Sequence, residues 1–215
     1  MRALAWVPAA RRRVAVPPGA QQTVSVQRHC TAMTTRLSKP GMARPHILPE
    51  HLRPGLTLVF CGTAAGRQSA LQKAYYAHPQ NKFWRTLAAV GLTPRRFAPE
   101  EFPLLWDLGI GLTDIAKFAY GMDHQLPRHS LGPKAVAGLR ARILKVAPRH
   151  LAFTSLAAGR AVLGRKAVPG EQPEKLGGTR VWILPSPSPL ADNHWDIAPW
   201  RVLAKAVSKE KSSAP

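Results

Sequence analysis

Short apolar runs that stop at glycine or a small polar residue alternate with segments of helical period along most of this chain. That alternation restricts the fold more than any other feature. Residues 56–61 form such a run, ending at Gly62, and have the length of a strand buried on both faces. Residues 82–90 place Phe83, Trp84, Leu87 and Val90 at helical spacing before Gly91, a suitable stop. Pro99 suits a first helical turn ahead of Phe102, Leu105 and Trp106. Residues 109–114 predict a second strand. Residues 134–146 predict a helix with Val136, Leu139, Ile143 and Val146 on one face. A strand over 150–154, a helix over 156–163, a strand over 180–184 and a helix over 197–207 complete the pattern. Residues 117–133 and 185–196 are expected as loops. Repeated strand and helix favour a parallel sheet with crossover helices on both faces. The expected class is therefore α/β, a three-layer α/β/α sandwich around a mainly parallel sheet of four or five strands.

The regular pattern begins near residue 46. Residues 1–45 show no sustained period and contain Pro8, Pro17, Pro18, Pro40 and Pro45, so they are expected as a disordered basic extension. Residues 46–209 are expected as one domain and 210–215 as a flexible tail. The extension is Arg-rich and free of acid, like an organelle transit peptide. Two other readings stand beside it, a DNA-contacting arm and a true start at Met33 or Met42. The misassigned start is favoured, because the ordered pattern begins just after Met42. The location expected is the cytoplasm or nucleoid of a bacterium, or an organelle or the nucleus if the extension is a targeting segment.

Lys and Arg total 31 against 11 Asp and Glu, a net charge of +20. Residues 1–45 hold eight basic residues and no acid, so the remainder still carries +12. A small domain with such an excess suits a polyanionic partner, nucleic acid being the commonest. A basic surface kept for solubility is the alternative. The 2 cysteines, Cys30 and Cys61, are too few for a four-thiolate zinc or iron–sulfur site or a disulfide scaffold. No cofactor and no metal are expected. No apolar stretch reaches the ~18 residues of a membrane helix, so no membrane partner is expected, and the protein is expected to be a monomer.

In open α/β sheets, ligands bind beyond the carboxyl ends of the strands. The loops after residues 61, 114, 154 and 184 should meet there. The first, Gly62-Thr63-Ala64-Ala65-Gly66, predicts a tight turn whose small side chains allow close backbone approach. It is not a phosphate loop, since no Gly-Lys-Ser/Thr follows. The segment Tyr75-Tyr76-Ala77-His78-Pro79-Gln80-Asn81-Lys82-Phe83-Trp84 crowds aromatics, an amide and a cation together. Tyr76 suits stacking on a base. Two roles are open to Asn81: orienting water or a base edge, and capping the helix that follows. Phe83 and Trp84 are expected in the core. The third, Pro185-Ser186-Pro187-Ser188-Pro189-Leu190, is stiffened by alternating prolines. Such a loop suits pointing Ser188 at a phosphate and Leu190 into a base stack, or serves as a rigid surface turn.

Together these segments resemble the uracil-DNA glycosylase superfamily, from about Leu56 to about Val207. Val59–Gly62, Ala77–Trp84 and Val181–Pro185 look like the mismatch-specific uracil (thymine) branch. Tyr75–Pro79 with Asn81 also looks like the hypoxanthine branch. The resemblance implies that Tyr76 stacks on a flipped base and that backbone amides near Thr63 and Ala64 bind a base carbonyl. It implies a base contact for Ser186, a phosphate contact for Ser188, and insertion of Leu190 into the gap, with Pro189 and Lys82 also at the DNA. The chain departs from the mismatch branch at Ala64, which stands where that branch carries an Asn to position water. The hypoxanthine branch also lacks that residue, and there the Asn of the His-Pro segment serves instead. Asn81 is therefore the expected catalytic residue, with Asp114 a secondary candidate as water-positioning base. Ser186 replaces the His or Asn of other branches.

The function expected is a monofunctional DNA glycosylase hydrolysing the bond between a flipped deaminated base and its sugar. Uracil, mismatched uracil or thymine, and hypoxanthine are the candidate bases, and damaged or mismatched DNA is the partner. Ala64 and Ser186 motivate a second reading, a DNA-binding member of the fold with weakened turnover. Asp114 motivates a third, a nucleotide or nucleoside hydrolase.

Overall fold

The computed structural model describes residues 45–212. The basic extension and the end of the expected tail lie outside the described residues. Five strands form one sheet: β1 (Leu58–Ala65), β2 (Ile110–Tyr120), β3 (His150–Phe153), β4 (Gly170–Leu176) and β5 (Thr179–Ile183). Their order is β2-β1-β3-β5-β4, with only β4 antiparallel. The helices are α1 (Arg67–Gln72), α2 (Phe83–Ala89), α3 (Pro133–Val146), α4 (Leu156–Leu163) and α5 (Ala198–Ser212). This is the expected α/β/α arrangement with a mainly parallel sheet.

The strands run apolar on both sides because two cores flank them. Leu58, Phe60, Ile110 and Leu112 join Phe83, Leu87, Trp200 and Leu203 on one face. Val59, Cys61, Ile115, Leu151 and Phe153 join Leu139, Ile143 and Val162 on the other. Phe60 lies edge-on to Phe83 at 5.2 Å and stacks near Trp200 at 5.5 Å, so strand and helices close around one aromatic group. Removing such a ring costs about 3–5 kcal/mol.

Four local expectations are corrected. β1 does not turn at Gly62: it continues to Ala65, because Gly62 and Ala64 pair with Asp114 and Ala116 of β2. β2 likewise runs past Asp114 to Tyr120, keeping its ladder with β1 until a bulge at Ala64/Ala65. The segment Pro99–Leu108 is a 3-10 helix with Pro103 inside it, where a missing N–H and the ring clash disfavour an α-helix. β4 was not anticipated. Its sequence, GEQPEKL, has no apolar alternation, and the strand sits at the sheet edge, where its proline is tolerated.

Candidate active site

The carboxyl ends of β1, β2, β3 and β5 open into one cavity of about 1010 Å³. Thr63 and Ala64 of β1, Asp114 of β2, Tyr76 and Asn81 from the segment before α2, and Ser186 after β5 all line it. Ser188, Pro189 and Leu190 form its lip. Of the residues singled out in the sequence, only Lys82 stands outside it. Its ammonium is buried and paired with Asp192, so its charge is not presented to the cavity.

Gly62 and Asp114 make the tightest part of the wall. A Cβ at position 62 would stand 2.5 Å from Asp114 Oδ1 and 3.7 Å from the Tyr76 hydroxyl. The bare Cα of Gly62 thus lets a carboxylate and a phenol share one corner. Asp114 is 5% exposed, and burial pushes its carboxyl up to about 6, with Lys117 opposing, Glu50 adding and Arg142 opposing. α3 also reaches this strand, Arg142 Nη2 donating to the Asp114 carbonyl at 2.9 Å. Asp114 is therefore a carboxylate that titrates near neutrality inside a cleft, a common signature of acid–base work.

Tyr76 has φ 55°, a left-handed conformation that a non-glycine residue adopts only when its surroundings enforce it. Its ring stacks on Phe83 at 3.8 Å and 15°, and its hydroxyl is 3.1 Å from Thr154 Oγ1. Burial and the Asp114 charge push that hydroxyl well up, so it stays neutral. One ring face is covered by Phe83, and the half-buried ring still lines the cavity.

Asn81 makes a local bond at the start of α2 and also faces the cavity. Its Oδ1 accepts from the Phe83 N–H at 2.9 Å, capping α2, and the side chain also lines the cavity. Capping commits one lone pair of Oδ1, which leaves Nδ2 as the stronger group to offer a ligand. In the third loop, Ser186 Oγ accepts from the Ser188 N–H at 3.3 Å and Ser188 Oγ from the Leu190 N–H at 3.4 Å. Each hydroxyl therefore keeps its own proton to donate. Leu190 is 74% exposed.

The structure adds residues that were not singled out. Thr154 and Ser155, just beyond β3, close the floor. Their position was readable from the strand end, but two small hydroxyls carry no motif. Met122, Asp123 and His124 form the rim opposite Leu190, tied down by Thr63 Oγ1 donating to Asp123 Oδ1 at 2.6 Å and by the Gly121 N–H donating to the Ala65 carbonyl at 2.9 Å. β1 also runs on to Ala65 past its last pair with β3, Cys61–Phe153. Its β3-facing edge near Thr63 is thus free of ladder bonds. Among the described residues, no group of His, Cys, Asp and Glu is placed to hold a metal ion, and no helix is long and apolar enough to cross a membrane.

The family model for the uracil DNA glycosylase superfamily matches residues 49–204. The chain belongs to that superfamily. The solution NMR structure of a candidate uracil DNA glycosylase from Methanosarcina acetivorans is similar, with a TM-score of 0.52 over 75% of this chain and 96% of that one. Sequence identity is 21%, so the likeness is one of fold. Within the uracil DNA glycosylase superfamily fold, this cavity stands at the strand ends where an open α/β sheet binds its ligand.

Proposed function

We propose that this protein is a monofunctional DNA glycosylase that hydrolyses the base–sugar bond of a deaminated base extruded from DNA. The observation that carries the reading is the meeting of Asp114, Tyr76 and Asn81 in one cavity whose lip carries the exposed Leu190. Glycosidic cleavage leaves positive charge on the sugar and negative charge on the base. The protein must hold a water against the sugar and donate hydrogen bonds to the departing base.

Ionised Asp114 is an acceptor-only group in a buried corner, which suits it to orient and deprotonate that water. Asn81 Nδ2 and the free amide edge of β1 at Thr63 act as donors to the base. Ser186 adds a hydroxyl donor where other branches have His or Asn. Tyr76, backed by Phe83, provides a rigid face for the base. Leu190 fills the vacated stack while Ser188 donates to a flanking phosphate. Extrusion costs a few kcal/mol, least for a mispaired base. The excess positive charge supplies salt-sensitive affinity for DNA. The candidate bases are uracil, mismatched uracil or thymine, and hypoxanthine.

The test is release of base from labelled duplexes carrying uracil, hypoxanthine, xanthine or thymine opposite guanine, read by strand scission in alkali. Release of at least one supports the enzyme and names its base. Ala64 and Ser186 favour one rival, a binding protein that retained the fold. Tight, salt-dependent binding with no release from any of the four would establish that rival instead.

A further inference from the structure

Lys82 closes the aromatic segment without facing the cavity that segment builds. Its side chain is buried, its ammonium pairs with Asp192, and it lies 5.5 Å from the centroid of the Trp195 ring. Its N–H donates to the Pro187 carbonyl at 2.8 Å. Its own carbonyl accepts from the Thr86 N–H at 2.9 Å and from Thr86 Oγ1 at 2.7 Å. One residue is thereby rooted in α2 and attached to the Pro-rich loop at two separate points.

The turn it reaches is held at its far end by Trp195, which packs against the core 5.9 Å from Trp200, and has little else to hold the part that carries Leu190. Pro189–His194 is a short 3-10 segment whose backbone bonds are local, Ala191 N–H to the Ser188 carbonyl at 3.0 Å and Trp195 N–H to the Asp192 carbonyl at 3.2 Å. Such bonds shape a turn but do not fix it to the domain. Leu190 cannot anchor it either, being 74% exposed. Asp192, just beyond the lip residues Ser188–Ala191, has a side chain that is 59% exposed, in a chain of strong net positive charge. An unneutralised acid there would repel phosphate. A buried ammonium is costly without a partner. The pair answers both costs.

We propose that Lys82 is a positioning residue, whose ion pair with Asp192 anchors the Leu190 turn to the cavity lip and so sets the insertion of Leu190 in register with the pocket. What Leu190 does rests on the glycosylase reading; the anchoring does not. A lysine serving DNA directly would present its charge to phosphate. Lys82 spends it inside the protein.

The experiment uses the full chain with Lys82→Met, Asp192→Asn, the double variant and Lys82→Arg. Without DNA, amide hydrogen exchange over residues 189–195 is expected to quicken about fivefold in each single neutral variant, the scale of an ion pair with one exposed partner. The double variant should add nothing, and Lys82→Arg should keep most of the protection. With DNA, a duplex carrying 2-aminopurine beside a uracil·guanine pair should bind about fivefold more weakly in both single variants. Binding of the double variant, which leaves neither charge unpaired, to the corresponding single strand, which needs no wedge, should stay unchanged. Wild-type exchange in Asp192→Asn would overturn the anchor. So would a double variant that binds single strand and duplex equally poorly with a reduced salt slope, since with Asp192 also neutral that loss marks a direct phosphate contact of Lys82. Absence of base release by the wild-type protein would defeat the glycosylase reading while leaving the exchange result to decide the anchor.

Discussion

Gly62 and Asp114 are register partners across the β1–β2 ladder, and a Cβ on Gly62 would stand 2.5 Å from Asp114 Oδ1. The backbones cannot separate to relieve that contact without breaking the sheet, so the carboxylate must move. Gly62→Ala is therefore expected to displace Asp114, with a fall in turnover of about a hundredfold for a shift near 1 Å. The overpacking should cost about 1–3 kcal/mol of stability. Single-turnover base release and urea unfolding measure the two effects. A wild-type rate in a folded Gly62→Ala protein would show that the position of this carboxylate does not matter to the chemistry.

Asp114 should trade stability for activity. Its carboxyl titrates at about 6 in the fold against 3.8 outside it, mainly through burial. Below pH 3.8 both states are protonated and the group contributes nothing. Between 3.8 and 6 the unfolded chain ionises first, so the fold loses stability as pH rises, reaching a cost of up to about 3 kcal/mol above 6. Asp114→Asn is expected to gain part of that at neutral pH while losing base release by about a hundredfold or more. For the wild-type protein, kcat/KM should fall about tenfold per pH unit below about 6. A flat profile from about pH 5 to 8, or an active Asn variant, would remove Asp114 from the mechanism.

Asn81 combines a cap with a cavity contact, and two substitutions separate them. Asn81→Asp keeps the oxygen that accepts from the Phe83 N–H and replaces the donor with a second acceptor. It should unfold like wild type yet release base at least tenfold more slowly, the scale of one lost transition-state hydrogen bond. Asn81→Ala removes both groups and should add about 1 kcal/mol of destabilisation from the lost cap. If thermal unfolding changes in Asn81→Ala while turnover changes in neither variant, Asn81 is only a cap.

The strand ends, and with them the meeting of Asp114, Asn81, Tyr76 and Ser186, were legible because apolar runs bounded by small residues mark buried parallel strands. The extension of β1 through Thr63-Ala64-Ala65 was not. Gly-Thr-Ala-Ala carries turn chemistry locally, and only the ladder with β2 overrides it. β4 was hidden for a similar reason, its polar sequence being held by pairing with β5 at an open edge. Lys82 was expected at the DNA because it stands beside the site, and its burial and ion pair could not be read from the sequence. Its partner Asp192 lies 110 positions later in the chain, and no local pattern reports such a pairing. Thr154 became visible only through its contact with the Tyr76 hydroxyl.

Leu190 offers the sharpest separation between stability and function. At 74% exposed, it contributes almost nothing to the core, so Leu190→Ala should leave unfolding within about 0.5 kcal/mol of wild type. If it fills the gap left by an extruded base, its loss should slow release from duplex DNA about tenfold or more, since the cost of unstacking is then uncompensated. Release from single-stranded DNA, where no stack need be refilled, should be nearly unchanged. The ratio of duplex to single-strand rates therefore isolates the wedge from the chemistry. Equal rates for wild type and Leu190→Ala on duplex would leave Leu190 as an exposed surface residue and move the search for the wedge to Met122 on the opposite rim, 38% exposed and also lining the cavity.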